Sequence, residues 1–218
     1  VKQYPKTEYH NKGIYDSRVI AWDKLDGSNL RFEWSHKRGF YKFGTRNVMI
    51  DVNDDNFGKA IPLFLDKYGD SIPRVFVDRY RKVENFVVFA EYLGENSFAG
   101  YHDPTDIMDI VLFDVNQYKR GFVPTWEFLN NFGHLHIPTV IYDGLYTPEF
   151  VQDVRKNKFG LREGVMCKGV TKNKANKEET WQVKVKTNDW LQKVRNKLGD
   201  KGLLDELNGD RNLLKELL

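Results

Sequence analysis

One glutamate stands inside the most strand-like stretch of the chain, Phe86-Val87-Val88-Phe89-Ala90-Glu91-Tyr92, and that conflict constrains the fold more than any other feature. The stretch is short, aromatic and β-branched, with Gly94 just beyond it, so it reads as a buried strand over Asn85 to Leu93. A carboxylate buried without a partner is costly. Glu91 therefore needs either a cation beside it or a functional reason to be there.

The remaining elements are legible from periodicity. Val19-Ile20-Ala21-Trp22 is an apolar run that ends at Lys24-Leu25-Asp26-Gly27-Ser28-Asn29, a strand closing on a tight turn. Leu30, Phe32 and Trp34 then alternate with Arg31 and Glu33, a second strand, and Phe40 to Phe43 returns beside it after a polar turn. Asn53-Asp54-Asp55 reads as a helix start, after which Phe57, Ile61, Phe64, Leu65 and Tyr68 recur at helical spacing until Gly69, and a new helix starts at Ser71-Ile72-Pro73; the two are expected to pack as a pair over one face of a sheet. Further strands are expected at Asp109 to Val115, Ile137 to Tyr142, Glu163 to Val170 and Thr180 to Lys186, the last two joined by a basic hairpin loop. Short helices are expected at Thr125 to Phe132 and after the cap Thr147-Pro148-Glu149. From Asn188 a helix places Trp190, Leu191, Val194 and Leu198 on one face, Gly199 and Gly202 break it, and leucine-rich helices follow. Residues 1–17 read as loop and short turns.

Composition narrows the class of protein. Forty per cent hydrophobic and 30% charged residues suit a globular chain, and the single cysteine, Cys167, rules out an internal disulfide and gives no support to a thiolate metal site. No apolar run approaches 18 residues and no charged-then-apolar leader is present, so the expected setting is the cytoplasm. The net charge of +3 is unevenly spread: Lys168 to Lys201 carries ten basic and four acidic residues, leaving the remainder net acidic. His134 and His136 lack companions that would complete a metal-ligand set, and Asp103, Asp106 and Asp109 lack calcium-loop spacing.

Lys24, at the end of an apolar strand, is the candidate nucleophile, because an amine partly desolvated in a cleft attacks once burial or neighbouring cations lower its pKa. Lys184 and Lys186, two apart on one strand, put both ammoniums on one face, where they can neutralise a phosphate and help keep Lys24 unprotonated. Glu91 and Glu163 are candidate metal-side carboxylates, since Mg²⁺ prefers oxygen ligands and keeps several waters. Taken in order, Lys24-Leu25-Asp26-Gly27, Gly44-Thr45-Arg46, Glu91 in Phe-Ala-Glu-Tyr-Leu-Gly, Leu112-Phe113-Asp114, Glu163-Gly164-Val165-Met166-Cys167-Lys168 and Val183-Lys184-Val185-Lys186 form a series. The series resembles the covalent nucleotidyltransferase superfamily of ATP-dependent polynucleotide ligases and mRNA capping enzymes, over about residues 18–186, and most closely the phage-type ATP-dependent RNA ligases. Ser28-Asn29 after Asp-Gly matches the RNA ligases, whereas DNA ligases carry an arginine soon after the glycine; here Asn29 takes that place and Arg31 follows two residues on.

The resemblance implies an α+β fold, the nucleotidyltransferase (adenylyltransferase) fold, in which two mainly antiparallel β-sheets flank an ATP cleft with helices outside. It implies an adenylyltransferase domain at 1–186 and a short helical C-terminal extension at 187–218, too short for the oligonucleotide-binding barrel of DNA ligases and capping enzymes. The implied activity joins RNA 5′-phosphate and 3′-hydroxyl ends through a lysyl-AMP on Lys24, using ATP and Mg²⁺, with Mn²⁺ as a substitute, in a monomer. A minimal DNA ligase and a non-catalytic nucleotide- or RNA-binding relative are the alternatives. By resemblance Asp26 supports the lysine and the later steps, Arg46 holds the ribose and the RNA phosphate, Phe113 stacks on adenine, and Glu91 contacts the ribose or a hydrated metal. Glu163 binds metal, Asn29 contacts the RNA end, and Lys168 touches phosphate. The basic loop with Lys172 and Lys174, and the helix with Lys193, Arg195 and Lys197, form the expected RNA-phosphate surface. Because phosphate contacts release counterions, joining of subsaturating RNA is expected to fall steeply with added salt in a rate measurement, with weak sequence preference.

Overall fold

The computed structural model describes residues 3–10, 12–94, 108–172 and 178–217, and it divides into two compact units. The strands are β1 (Glu8–Tyr9), β2 (Arg18–Asp23), β3 (Ser28–Ser35), β4 (Gly39–Thr45), β5 (Met49–Ile50), β6 (Asn85–Leu93), β7 (Asp109–Gln117), β8 (Gly121–Phe122), β9 (Val140–Leu145), β10 (Gly164–Lys172) and β11 (Glu178–Lys186). The helices are α1 (Ala60–Tyr68), α2 (Ser71–Arg79), α3 (Thr125–Phe132), α4 (Pro148–Arg155), α5 (Asn188–Glu206) and α6 (Arg211–Leu217). The expected α+β architecture with two largely antiparallel sheets is present; the one parallel pairing among them is β1 with β11.

The first unit comprises Val1–Pro5 and Leu25–Pro138 and holds a six-stranded sheet ordered β5-β4-β3-β6-β7-β8. Its main core follows from strand alternation. Leu30, Phe32 and Trp34 of β3, Val88 and Ala90 of β6, and Leu112 of β7 share one face and pack with Phe64 of α1, Phe76 of α2 and Phe132 of α3. Phe32 and Phe64 stack with ring centroids 3.6 Å apart, and Phe76 and Phe86 at 3.7 Å. On a smaller cluster Tyr4 packs with Val87 and Phe89, and Phe113 and Phe122 lie against it. Between Phe89 and Ala90 the register with β7 shifts, so Phe89 faces Asp114 and Ala90 faces Leu112, with Phe113 the extra residue.

The second unit comprises Lys6–Lys24 and Thr139–Leu218, with a five-stranded sheet ordered β1-β11-β10-β2-β9. Val19 and Ala21, Val165 and Cys167, and Val183 and Val185 line one face and pack on Val151 and Val154 of α4. Burial pushes the Cys167 thiol well up, in keeping with a small inert strand residue. The opposite face carries Trp22, Met166, Lys168, Lys184 and Lys186, because directly paired residues share a face.

Several local expectations change. Residues 8–9 are a short strand rather than loop, held parallel to β11. The strand expected from Ile137 begins at Val140, and His134 to His136 lies in no strand. The break at Gly199 is real, with φ of 69°, but Gly202 continues the helix, and Leu198 is 59% exposed rather than on the buried face. Leu203, Leu207 and Leu213 instead bury with Leu191 against Tyr9, and that packing overrides the weak helix propensity of Gly202. The acidic stretch with Asp103 and Asp106 lies outside the described residues.

Removing one partner of the Phe32–Phe64 stack leaves a large cavity in a fully buried place. Phe64→Ala is expected to lower stability by about 3–5 kcal/mol, measured as the shift in a urea unfolding curve.

Candidate functional site

The Lys24-Leu25-Asp26-Gly27 stretch is where the two units meet along the chain: Lys24 is the last residue of one segment and Leu25 begins the other. The candidate residues therefore fall into two sets, one in each unit.

In the second unit, β2 runs antiparallel to β10, with Asp23 opposite Val165. The pairing continues one residue past the strand, where the Lys24 amide donates to the Gly164 carbonyl at 2.9 Å. Gly164 is there because the backbone requires it. Its φ is 156°, and a Cβ would lie 2.1 Å from the Val185 carbonyl oxygen and 2.7 Å from Lys186 Cα. Close approach of β10 and β11 thus sets Glu163, immediately before β10, beside the end of β11. The Lys24 ammonium lies 2.8 Å from Glu163 Oε1, and the same oxygen accepts from Lys186. Glu163 and Lys186 are almost wholly buried, whereas the Lys24 side chain keeps 22% of its surface exposed.

Glu206 of α5 completes this cluster. Its Oε1 accepts from Lys184 at 3.0 Å and lies 2.8 Å from the Lys186 ammonium. Lys186 also sits 5.2 Å from the centre of the Trp190 ring, and Lys168 lies 5.4 Å from that of Trp22. Burial lowers the pKa of Lys184, Glu206 acts against that fall, and repulsion from Lys186 and Lys24 adds to it. Asp23 is pushed up, chiefly by burial and then by the charge of Glu163, while Lys24 pulls it down. Glu163 Oε2 is buried without a hydrogen-bond partner among the described residues. A hard, unshared carboxylate oxygen of this kind suits a Mg²⁺ or Mn²⁺ ion, directly or through its water. No group of three or more His, Cys, Asp or Glu side chains that could hold a metal exists among the described residues, so an ion there would keep several waters or phosphate oxygens.

In the first unit, Asn29 of β3 lies directly opposite Glu91 of β6. The Gly27 amide donates to Glu91 Oε1 at 3.2 Å, which answers in part why a carboxylate interrupts this strand. A Cβ on Gly27 would meet the Tyr92 carbonyl oxygen at 2.6 Å and Glu91 Cγ at 2.9 Å, so only glycine lets the turn approach β6. Asp26 is buried beside this turn, at 7% exposure. Arg46 follows β4 and is exposed, and its carbonyl accepts from Arg31 at 3.3 Å. Phe113 is half-buried, with its ring centre 5.1 Å from that of Tyr4 in an edge-on contact. Tyr4 donates to Asp114 at 3.0 Å, and its hydroxyl is pushed well up by burial, then by Asp114 and Glu91, with Arg46 acting the other way.

The structure thus gathers Lys24, Glu163, Lys184 and Lys186 in one unit and pairs Asn29 and the Asp26-Gly27 turn with Glu91 in the other. Lys172 ends β10 opposite Glu178, and Lys174 lies outside the described residues. Sequence reasoning missed Glu206 and Tyr4. An acidic residue in a leucine-rich helix and a tyrosine in a polar leader carry no local signal.

The family model for RNA ligase matches residues 17–202. No curated protein matches the sequence. Among solved structures, the nucleotide-free Naegleria gruberi RNA ligase superposes with a TM-score of 0.62 at 15% identity, covering 88% of this chain and 58% of that one. An archaeal ATP-dependent RNA ligase gives 0.61 at 15% identity, covering all of this chain and 61% of that one. A structure of the Naegleria enzyme with AMP and Mn gives 0.59 at 16%, covering 88% and 58%. The chain spans about three fifths of the length of these solved structures.

The Glu206 carboxyl is held down to about 2: burial opposes this, and the Lys186 and Lys184 ammoniums overcome it. Its folded pKa lies below its ordinary 4.5, so its stabilising contribution is full above that value and fades as pH falls toward 2. Urea midpoints of Glu206→Gln are expected to change less with pH across that window than those of the wild type. With its match over most of the length, this chain belongs to the RNA ligase family.

Proposed function

We propose that the chain is an ATP-dependent RNA ligase domain that joins RNA 5′-phosphate and 3′-hydroxyl ends through a lysyl-AMP on Lys24. The observation that carries the reading is the Glu163 carboxylate oxygen shared by the Lys24 and Lys186 ammoniums, with Lys184 within electrostatic reach. A largely buried amine that keeps some exposure thus lies next to a mostly buried cationic pair, the arrangement a nucleophile needs beside a polyanionic nucleotide. The relatives' structures with ATP or AMP and Mn support ATP and a divalent metal as its needs.

In the first step the neutral Lys24 nitrogen forms a bond to the α-phosphorus and gives up one proton to solvent, the bond from that phosphorus to the bridging oxygen breaks, and pyrophosphate leaves. Lys184 and Lys186 are assigned to the charge developing on the phosphate oxygens. A 5′-phosphate oxygen of RNA then attacks the same phosphorus, and the P–N bond breaks as the nitrogen takes a proton from solvent, so that Lys24 leaves as the free amine. The RNA 3′-hydroxyl finally attacks the activated 5′-phosphate and AMP departs, its proton passing to solvent. Glu163 and Glu91 are each assigned to metal, whose chemistry is to neutralise phosphate charge. Asp26 is assigned to the later steps, Arg46 to ribose and phosphate, Phe113 to the adenine, and Asn29, Lys168, Lys172 and Lys174 to RNA. We assign 1–186 to the adenylyltransferase body and 187–218 to a helical extension. No helix among the described residues is long and apolar enough to cross a membrane.

The test is incubation with α-labelled ATP and Mg²⁺, with GTP and NAD in parallel, followed by denaturing electrophoresis. Wild type is expected to retain label from ATP, and Lys24→Ala to retain none while staying folded. Label from GTP would point to a capping enzyme. Absence of label from every nucleotide would favour a non-catalytic binding relative. Nicked DNA compared with nicked and single-stranded RNA then separates a DNA ligase from an RNA ligase.

A further inference from the structure

Glu206 belongs to no part of the chemistry above, yet it contacts both lysines assigned to the α-phosphate. One carboxylate oxygen lies 3.0 Å from Lys184 and 2.8 Å from Lys186. That is the role an anionic phosphate oxygen would play, so the contact and a bound nucleotide draw on the same donors. The placement is built rather than incidental. Glu206 is flanked by Leu203 and Leu207, 2% and 0% exposed, which anchor this part of α5 against Tyr9. Tyr9 is itself the β1 residue paired with Lys184. Gly199, with φ of 69°, turns the second half of α5 away from the line of the first and lets those leucines reach that core. The Asn208 side chain donates to the Thr7 carbonyl at 3.1 Å, a further tie beside β1.

The charges point the same way. Lys24, Lys184 and Lys186 carry three positive charges, and Glu163 answers two of these lysines through a single oxygen. Glu206 supplies the counter-charge for Lys184, and it does so from the C-terminal helices rather than from the sheet. Removing it would leave a more cationic, emptier cradle, whereas a phosphate arriving at the lysines has to displace it.

We propose that Glu206 is a positioning residue for nucleotide affinity: its carboxylate stands in for a phosphate on Lys184 and Lys186 and yields to the nucleotide, so that binding loosens the end of α5. The inference rests on the assignment of these lysines to phosphate. Its consequence is a built-in competitor that weakens the hold of these two lysines on a phosphate group, whether of ATP or of free pyrophosphate.

The test uses inorganic pyrophosphate with Mg²⁺ as the probe, titrated by calorimetry into wild type, Glu206→Gln and Glu206→Asp. Glu206→Gln is expected to bind about tenfold tighter, the scale of one lost charge-assisted competitor, and Glu206→Asp to stay near wild type. In adenylylation, KM for ATP should fall in Glu206→Gln with a smaller change in kcat, a split that mere loosening of the fold would not give. In wild type, hydrogen exchange at amides 203–207 should rise when pyrophosphate is added, a readout that serves even if Glu206→Gln does not fold. Equal or weaker pyrophosphate binding by a folded Glu206→Gln overturns the inference, as does unchanged or slower exchange. If Lys24 takes label from ATP but Glu206→Gln binds no tighter, this inference alone fails. If no label forms yet Glu206→Gln binds pyrophosphate more tightly, the ligase reading fails and the internal competitor stands. If no label forms and neither protein binds pyrophosphate, both fail.

Discussion

The arrangement of the second unit depends on one buried carboxylate oxygen, Glu163 Oε1, which accepts from Lys24 and Lys186 together. A single ammonium buried at this depth would be strongly disfavoured, and two would repel each other. The shared oxygen makes their proximity tolerable, and Glu206 extends the same solution to Lys184. Breaking such a pair from one side leaves an uncompensated charge behind, which makes the cluster a unit rather than a sum of contacts.

The sheet explains why these side chains converge. Pairing of β2 with β10 and of β10 with β11 sets Trp22, Met166 and Lys184 in one row across three strands. The period of two then places Lys186 on the same face as Lys184, while Val183 and Val185 turn to the core. Gly164 lets β10 come so close to β11 that any side chain there would collide with its backbone. In the first unit Gly27 does the equivalent for the turn against β6, and its amide becomes a partner for Glu91. Each glycine is thus tied to a carboxylate: Gly164 follows Glu163 in sequence, and Gly27 binds Glu91 through space.

Much of this was legible beforehand where local chemistry and order carried the signal. Lys24 ends an apolar run before Asp-Gly, Glu91 interrupts a buried strand, and Lys184 and Lys186 alternate with valines, so each stands out from its surroundings in the sequence. The strongly periodic β6 appeared where expected, whereas α1 begins only at Ala60, after Phe57 and well past the start expected at Asn53. Failures came where tertiary packing outweighed local preference. Gly202 stays helical because Leu203 and Leu207 bury beside it, and Leu198 points outward because Gly199 changes the helix direction.

The sequence by itself determined the residue types, their order and the faces they share on each strand, because side-chain alternation is a local property of the backbone. From these the fold class and the membership of the RNA ligase family were accessible. Only the tertiary structure decided which charges answer one another. Glu163 with Lys24 and Lys186, and Glu206 with Lys184 and Lys186, join residues separated by up to 139 positions through sheet register, a kink at Gly199 and a core around Tyr9. Register and helix docking are set by the sum of buried contacts across the unit, and no short stretch of sequence holds that sum.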